Sequence, residues 1–151
     1  TDGTLLVDGQ VVNPLRHTVE DVMSRYAAHS VDVTYMSDGE TVSARFTGAL
    51  LWDVISAARP NMNPDAPNDL ASMYIVVTGA DGYQSVIALG EIAPDYAAQP
   101  ILLAYEQDGA ALEGGLLRLI VPSDASDGRY VRNVVNISLR DAPSPAGNEH
   151  R

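Results

Sequence analysis

Asp-Gly pairs at Asp8-Gly9, Asp38-Gly39, Asp81-Gly82 and Asp108-Gly109 lie between runs rich in β-branched and aromatic residues, and this punctuation limits the possible folds more than any other feature. Both residues of such a pair tolerate positive φ, so the chain can reverse sharply and lay the flanking runs antiparallel. Val31, Val33 and Tyr35 alternate with polar residues, Ser37 to Glu40 turn the chain, and Thr41 to Phe46 alternate back, which predicts a hairpin over 31–47. Residues 72–89 predict a second hairpin across Ala80-Asp81-Gly82, and residues 101–112 a third with Asp108-Gly109 at its turn. Leu5 to Val12, alternating around Asp8-Gly9, reads as a short hairpin or a bent strand. Strands are also expected over 116–121 and 130–139.

Helical signals are fewer. Thr18 reads as an N-cap with Asp21 three residues on, and Val19, Val22, Met23 and Tyr26 follow at helical spacing. A second helix of roughly three turns is expected to start at Thr47 or Gly48. It would place Leu50, Leu51, Val54, Ile55 and Ala58 on one face and stop before Pro60. Residues 61–69 are a Pro/Asn/Asp loop, and residues 90–100 hold one helical turn at most. Hairpins separated by short helices, without βαβ alternation, predict an α+β fold with a mainly antiparallel or mixed sheet and a few short helices. The organisation expected is one domain over 1–141 and a flexible tail over 142–151.

With 46% hydrophobic and 19% charged residues among 151, the chain can bury a continuous core without staples. The net charge of −11 repels phosphate backbones, so nucleic acid is not an expected partner. The longest apolar runs, Tyr74 to Thr78 and Leu116 to Pro122, are strand-sized, and no membrane span is expected. There is no cysteine, which excludes thiol nucleophiles, disulfides and any thiolate bond to a metal. A P-loop, a dinucleotide glycine fingerprint, a GxSxG elbow and an HExxH motif are absent. His17, His29 and His150 show no ligand spacing and read as ordinary surface residues. Asp81, Glu91, Glu106 and Asp108 could supply paired carboxylates, but turn chemistry accounts for two of them. Asn136 opens an N-I-S triplet inside an expected strand, where a glycosylation acceptor is out of place. Tyr74, Tyr83 and Tyr105 read as core or sheet-face residues and Trp52 as a core anchor. The sequence starts at Thr1 instead of methionine, which gives the expectation of a removed upstream segment, either a signal peptide or an expression leader.

The basic residues are nine arginines and no lysine, and three of them gather around one Asp/Gly/Ser loop in LRLIVPSDASDGRYVR, residues 117–132. Arg118 interrupts an apolar strand, where a charge must be paired or face a polar cavity. Arg129 follows Asp127-Gly128, whose turn can point backbone N–H groups at an anion. A guanidinium fork matches phosphate oxygens. The competing reading is structural: Asp124 and Asp127 pair with the arginines, and a regular strand would send Arg129 and Arg132 to opposite faces. No catalytic and no metal-ligating residue is assigned.

The blocks FTGALLWDVISAA, YIVVTGADGYQSVIALGEIAPD and ILLAYEQDGAALEGGLLRLIVPSDASDGRYVRNVVNISL, with the lead-in LLVDGQVVNPLRHTVEDV, together resemble the oxidoreductase molybdopterin-binding domain of the sulfite oxidase family over about residues 5–140. The resemblance implies the sulfite-oxidase-type α+β fold. It also implies a cofactor, molybdenum on a pterin dithiolene ending in a phosphate held by basic side chains. Carried over, Arg118 matches the arginine of the family's G-P-x-R block, and Arg129 and Arg132 match basic positions of the following strand. These three are the expected cofactor-binding residues. The family's metal-ligating cysteine falls near Met36 or Ser37, neither of which can supply a thiolate. The segment that shapes the pterin pocket in active members is reduced to DGETVSAR, and the histidine before the arginine is missing from LEGGLLR.

The function expected is therefore that of a molybdopterin-binding-domain-like protein without sulfite-oxidase-type oxygen transfer, retaining a site for a pterin phosphate or another small anion. One alternative is an interaction module or accessory subunit of a redox complex, using the degenerate pocket to dock a redox partner. A second is a molybdenum-cofactor oxidoreductase with a cysteine-free site. Short forms of this kind are often exported, so the resemblance implies a bacterial protein in the periplasm.

Overall fold

The computed structural model describes residues 4–65 and 69–143. The tail expected from 142 lies, from 144 onward, outside the described residues, as do His150 and part of the Pro/Asn/Asp loop. The strands are β1 (Leu5–Gly9), β2 (Leu15–His17), β3 (His29–Ser37), β4 (Glu40–Leu50), β5 (Met73–Gly79), β6 (Gln84–Ala88), β7 (Leu102–Gln107), β8 (Ala110–Ala111), β9 (Arg118–Ile120) and β10 (Val134–Asp141). The helices are α1 (Val19–Arg25), α2 (Leu51–Ala58), α3 (Asp69–Ser72) and α4 (Leu89–Ile92), with 3-10 turns at Glu113–Gly115 and Asp127–Arg129. One sheet has the order β2-β1-β10-β5-β6; the other has the order β3-β4-β7-β8, with β9 also on β7. Among the pairings of these strands only β1 with β10 is parallel, so the expected α+β class with mainly antiparallel sheet holds.

The Asp-Gly reading succeeds where both residues take positive φ. Asp38 (51°) with Gly39 (80°), and Asp108 (52°) with Gly109 (86°), close two-residue turns between β3 and β4 and between β7 and β8. Asp8-Gly9 is different. β1 ends at Gly9 (φ 89°) beside β10 and pairs back antiparallel with β2 from Leu15, so the chain bends there and the return is made by a longer loop, not by a two-residue turn. Gly9 is needed because a Cβ would sit 2.2 Å from the Leu139 carbonyl oxygen.

Two boundaries depart from the sequence reading. The second helix begins at Leu51, because β4 continues through Thr47 and Gly48 against β7. A Cβ at Gly48 would lie 2.1 Å from the Leu103 carbonyl oxygen, so this glycine permits close strand approach and does not start a helix. α2 has no side-chain cap. Leu51, Val54 and Ile55 are fully buried, and at about 1.5–3 kcal/mol each they outweigh the ~1 kcal/mol of a missing cap. Trp52, expected as a core anchor, is half-buried at the core's edge. The last strand starts at Val134, not 130, because Asn133 takes a positive φ of 53° and breaks the extended run.

One hydrophobic core draws on both sheets, with Val7, Ile75 and Ile137 from the first and Phe46, Leu103 and Leu119 from the second. α1 closes one end with the expected cap: the Asp21 amide donates to Thr18 Oγ1 (3.0 Å) and the Thr18 amide to Asp21 Oδ2 (2.9 Å). His17, expected on the surface, is buried at the β2–α1 junction, and its Nε2 lies 2.7 Å from the Tyr26 hydroxyl. Burial holds its pKa below the ordinary value. His29 is exposed as expected. Asn136 is tied down inside β10, donating to the Leu6 carbonyl at 3.0 Å.

Candidate functional site

β9 carries Arg118 into the interior between Leu117 and Leu119, both buried, and pairs it with Ala104 of β7 on one side and Arg132 on the other. Only 9% of Arg118 is exposed. Its guanidinium carbon lies 5.8 Å from the Phe46 ring centre and 5.5 Å from that of Tyr130, so two aromatic faces receive part of the charge. The nearest carboxylate is Asp127, at 3.8 Å from Nη2, too long for a hydrogen bond. Arg118 Nε is buried without any hydrogen-bond partner. A cation held this way has donor capacity left over, and leaving that capacity unmet inside a protein costs about 1–3 kcal/mol.

The end of β3 meets this arginine through the loop before the Asp127–Arg129 turn. The Met36 amide donates to the Ala125 carbonyl (2.8 Å), and Ser37 Oγ donates to Asp127 Oδ2 (2.8 Å). Ser37, Asp127 and Arg118 thus form one chain of contacts, in which a single carboxylate oxygen faces both the hydroxyl and the guanidinium. Met36 is exposed, and its sulfur accepts from Thr41 Oγ1 at 3.2 Å. A cavity of about 550 Å³ opens beside this chain, with Tyr35, Ser37, Gln107, Arg118, Arg132 and Asn133 among its walls. Arg132 is exposed, has no ion pair among the described residues, and also lines a neighbouring cavity of about 240 Å³ with Asp81, Asp127 and Tyr130.

Arg129 is placed otherwise. Its Nε and Nη2 donate to the two oxygens of Asp124 at 2.8 Å each, and its Nη1 donates to Glu91 Oε2 and to the Val86 carbonyl at 3.1 Å each. The Asp124 hydrogen bonds and the Glu91 carboxylate raise its pKa still further above the ordinary value. Glu91 in turn caps α4 by accepting from the Ala88 amide (2.8 Å). Ser85 donates to the Arg129 carbonyl, and the Tyr83 hydroxyl donates to the Gly128 carbonyl. Tyr83, expected in a strand, sits half-exposed in the β5–β6 loop and fastens this turn. The three arginines therefore do not form one cluster. Arg118 and Arg132 share a cavity, while Arg129 stitches its turn to α4 and to the edge strand β6.

Two groups at the site carry no charge signal in the sequence. Tyr130 is buried against Arg118, its ring centre 4.8 Å from that of Tyr35, and its hydroxyl has no hydrogen-bond partner. Burial, then the Tyr35 hydroxyl, push its pKa up to about 12. Phe46 lies under the guanidinium from β4. The inward parity of Tyr35 and Phe46 in the hairpin alternation is the only signal that could have placed them here. No cluster of three or more His, Asp or Glu residues suited to a metal occurs among the described residues.

A family model of the oxidoreductase molybdopterin binding domain matches residues 2–147. Among solved structures, the sulfane dehydrogenase SoxCD from Paracoccus pantotrophus is similar over 93% of this chain, with a TM-score of 0.75 and 18% sequence identity. The matched region makes up 38% of that chain, so the protein spans well under half of its length. No curated protein matches the sequence.

Proposed function

This chain belongs to the oxidoreductase molybdopterin-binding domain family, and from that premise we propose that it binds a small oxyanion or a pterin phosphate and does not carry out oxygen transfer. The observation that carries this reading is Arg118, a nearly buried guanidinium with an unpartnered Nε, opening with Arg132 onto one cavity. Those donors suit phosphate oxygens: Arg118 would supply the fixed, desolvated charge and Arg132 a mobile one at the rim. Arg129, the third arginine expected at the cofactor, serves in this proposal to hold the loop that presents Asp127.

The donor set fits the phosphate end of the family's cofactor and not a thiolate-held metal. Where that cofactor binds, it supplies redox chemistry at molybdenum, and the protein's part is to fix the metal. Ser37 offers a hydroxyl committed to Asp127, and Met36, an exposed residue, a thioether that accepts from Thr41 Oγ1. Neither is the strong anionic donor that such a site needs. What the chain's own residues do here is bind and orient: Arg118 is held by two rings, and Ser37 and Asp127 set the position of the charge that opposes it.

A second reading, a module of a larger redox assembly, is favoured by the extent of the match, since the chain corresponds to 38% of the sulfane dehydrogenase chain. Export to the periplasm belongs to the same proposal and is checked by cell fractionation. The deciding experiment is molybdenum and tungsten analysis, with fluorescence of the oxidised pterin and phosphate titration, on protein made in a host that produces the cofactor. Phosphate or pterin binding that disappears in Arg118→Ala while the fold persists is expected. Near-stoichiometric metal with turnover of an oxygen-transfer substrate would overturn the non-catalytic reading.

A further inference from the structure

We propose that Asp127 is a built-in competitor in this site: its carboxylate stands where an incoming oxyanion would meet Ser37 and Arg118, and ligands bind by displacing it. The inference rests on the oxyanion-binding reading above and adds how that site is regulated. Asp127 Oδ2 is the one oxygen facing both donors, at 2.8 Å from Ser37 Oγ and 3.8 Å from Arg118 Nη2. The first contact is a full hydrogen bond and the second is only electrostatic, so the carboxylate compensates the buried charge without satisfying its donors. A phosphate reaching hydrogen-bond distance could take Nη2, the vacant Nε and the Ser37 hydroxyl together. Each of these donors is already in place, so the ligand needs only the carboxylate to leave.

Leaving is easy for this residue. Its side chain is 27% exposed, it sits in a 3-10 turn, and it lines the smaller cavity as well, so rotation about its own side-chain bonds suffices. The turn itself stays fixed by Arg129, Ser85 and Tyr83. The charged groups facing Asp127 are Arg118 from β9, Arg132 from the segment before β10 and Asp81 from the β5–β6 loop. Asp124 is neutralised by Arg129. With Asp127 in place, its carboxylate is the one that meets Arg118 and Ser37 directly. With it withdrawn, the guanidinium of Arg118 is left without an ion-pair partner, and the cavity holds two arginines against Glu113 in its wall and Asp81 beside the smaller cavity. That local balance favours a phosphate monoester or inorganic phosphate at Arg118.

The test is isothermal titration of inorganic phosphate into wild-type protein, Asp127→Asn, Asp81→Asn and Arg118→Gln. Asp127→Asn keeps an acceptor for Ser37 and removes the charge. Binding should tighten by about tenfold, the size of one partly screened charge interaction. Asp81→Asn removes the same charge nearby without freeing the donors and should change affinity less than about twofold. Arg118→Gln should abolish binding. Equal tightening in Asp81→Asn, or none in Asp127→Asn, overturns the competitor role and leaves the oxyanion site standing, provided Arg118→Gln still abolishes binding. Binding that survives Arg118→Gln, or is absent from both wild type and Asp127→Asn, overturns the oxyanion reading itself. Should Asp127→Asn fail to fold, carboxylate 13C shifts in the wild-type protein decide: phosphate must move Asp127 and not Asp81. A stationary Asp127 signal at saturation refutes displacement.

Discussion

Arg118 and Arg129 flank the same loop and look alike in the sequence, yet the fold gives them opposite positions. Arg129 is about one third exposed and fully engaged, with a bidentate carboxylate, a second carboxylate and a backbone carbonyl. Arg118 is far more buried and far less engaged, with one loose carboxylate, two rings and an idle Nε. Burial alone does not say which charge is structural; the saturation of its donors does. A guanidinium whose three nitrogens all find partners inside the protein holds the fold together, whereas one with a buried nitrogen left idle is available to a ligand.

The strongest way to break this contrast is to remove Arg129. Arg129→Ala leaves Asp124 and Glu91 partly buried without their counterion and releases the turn from β6 and α4. The expected loss is about 2–3 kcal/mol, below the 3–5 typical of a fully buried pair because the side chains retain some solvent. Urea or guanidinium titration measures it, and a loss under about 0.5 kcal/mol would show that the ion-pair network holds nothing.

Arg118→Met is the opposite test. The substitution keeps an unbranched apolar stem as far as about the Nε position, while the poorly compensated charge over the Phe46 and Tyr130 rings disappears. Stability is expected to change by no more than about 1 kcal/mol in either direction, because replacing a buried, loosely paired ion by an apolar side chain is often neutral or stabilising. Phosphate binding should vanish. If Arg118→Met instead destabilises as much as Arg129→Ala, the contrast between the two arginines collapses and both are structural.

How far these positions can be read from sequence depends on what sets them. Arg118 is legible, because a charge inside an apolar strand has few places to go, and Ser37 is reached through the resemblance. The separation of Arg129 from Arg132, and the pairing of Arg129 with Asp124, are open to the sequence as the competing structural reading, but the geometry that produces the separation is not legible. It follows from the 3-10 turn at Asp127–Arg129 and the left-handed Asn133, which replace the continuous strand that the pattern suggests. The hairpins at Asp38-Gly39 and Asp108-Gly109 are legible because local φ preferences and the global pairing agree. The start of α2 is misread because Gly48 serves a contact with β7 that is distant in sequence. Local chemistry thus locates turns and the odd charge, while non-local packing decides which partner each charge finds.

His17 extends the contrast to a neutral group. Its ring is buried and engaged by the Tyr26 hydroxyl, and burial lowers its pKa below 6.5. Because the unfolded chain then binds a proton more readily than the folded one, the stability tied to His17 is complete above about pH 6.5 and is lost as pH falls below it. Denaturation midpoints across that range should show the decline, and His17→Gln should flatten it. An unchanged slope in the variant would assign the dependence to other groups.

The smallest effects compare two tyrosine hydroxyls. The hydroxyl of Tyr26 lies 2.7 Å from His17 Nε2, while that of Tyr130 is buried without a partner. Deleting a satisfied hydroxyl strands its partner and should cost about 1 kcal/mol in Tyr26→Phe. Deleting an unsatisfied one removes a desolvated group from a site that never repaid it, so Tyr130→Phe should be neutral or stabilise by up to about 1 kcal/mol. The ring beneath Arg118 remains, so phosphate affinity should stay within about twofold. A clear destabilisation in Tyr130→Phe would mean that the hydroxyl does find a partner in solution. The rule drawn from the two arginines would then need bound water counted among the groups that saturate a donor.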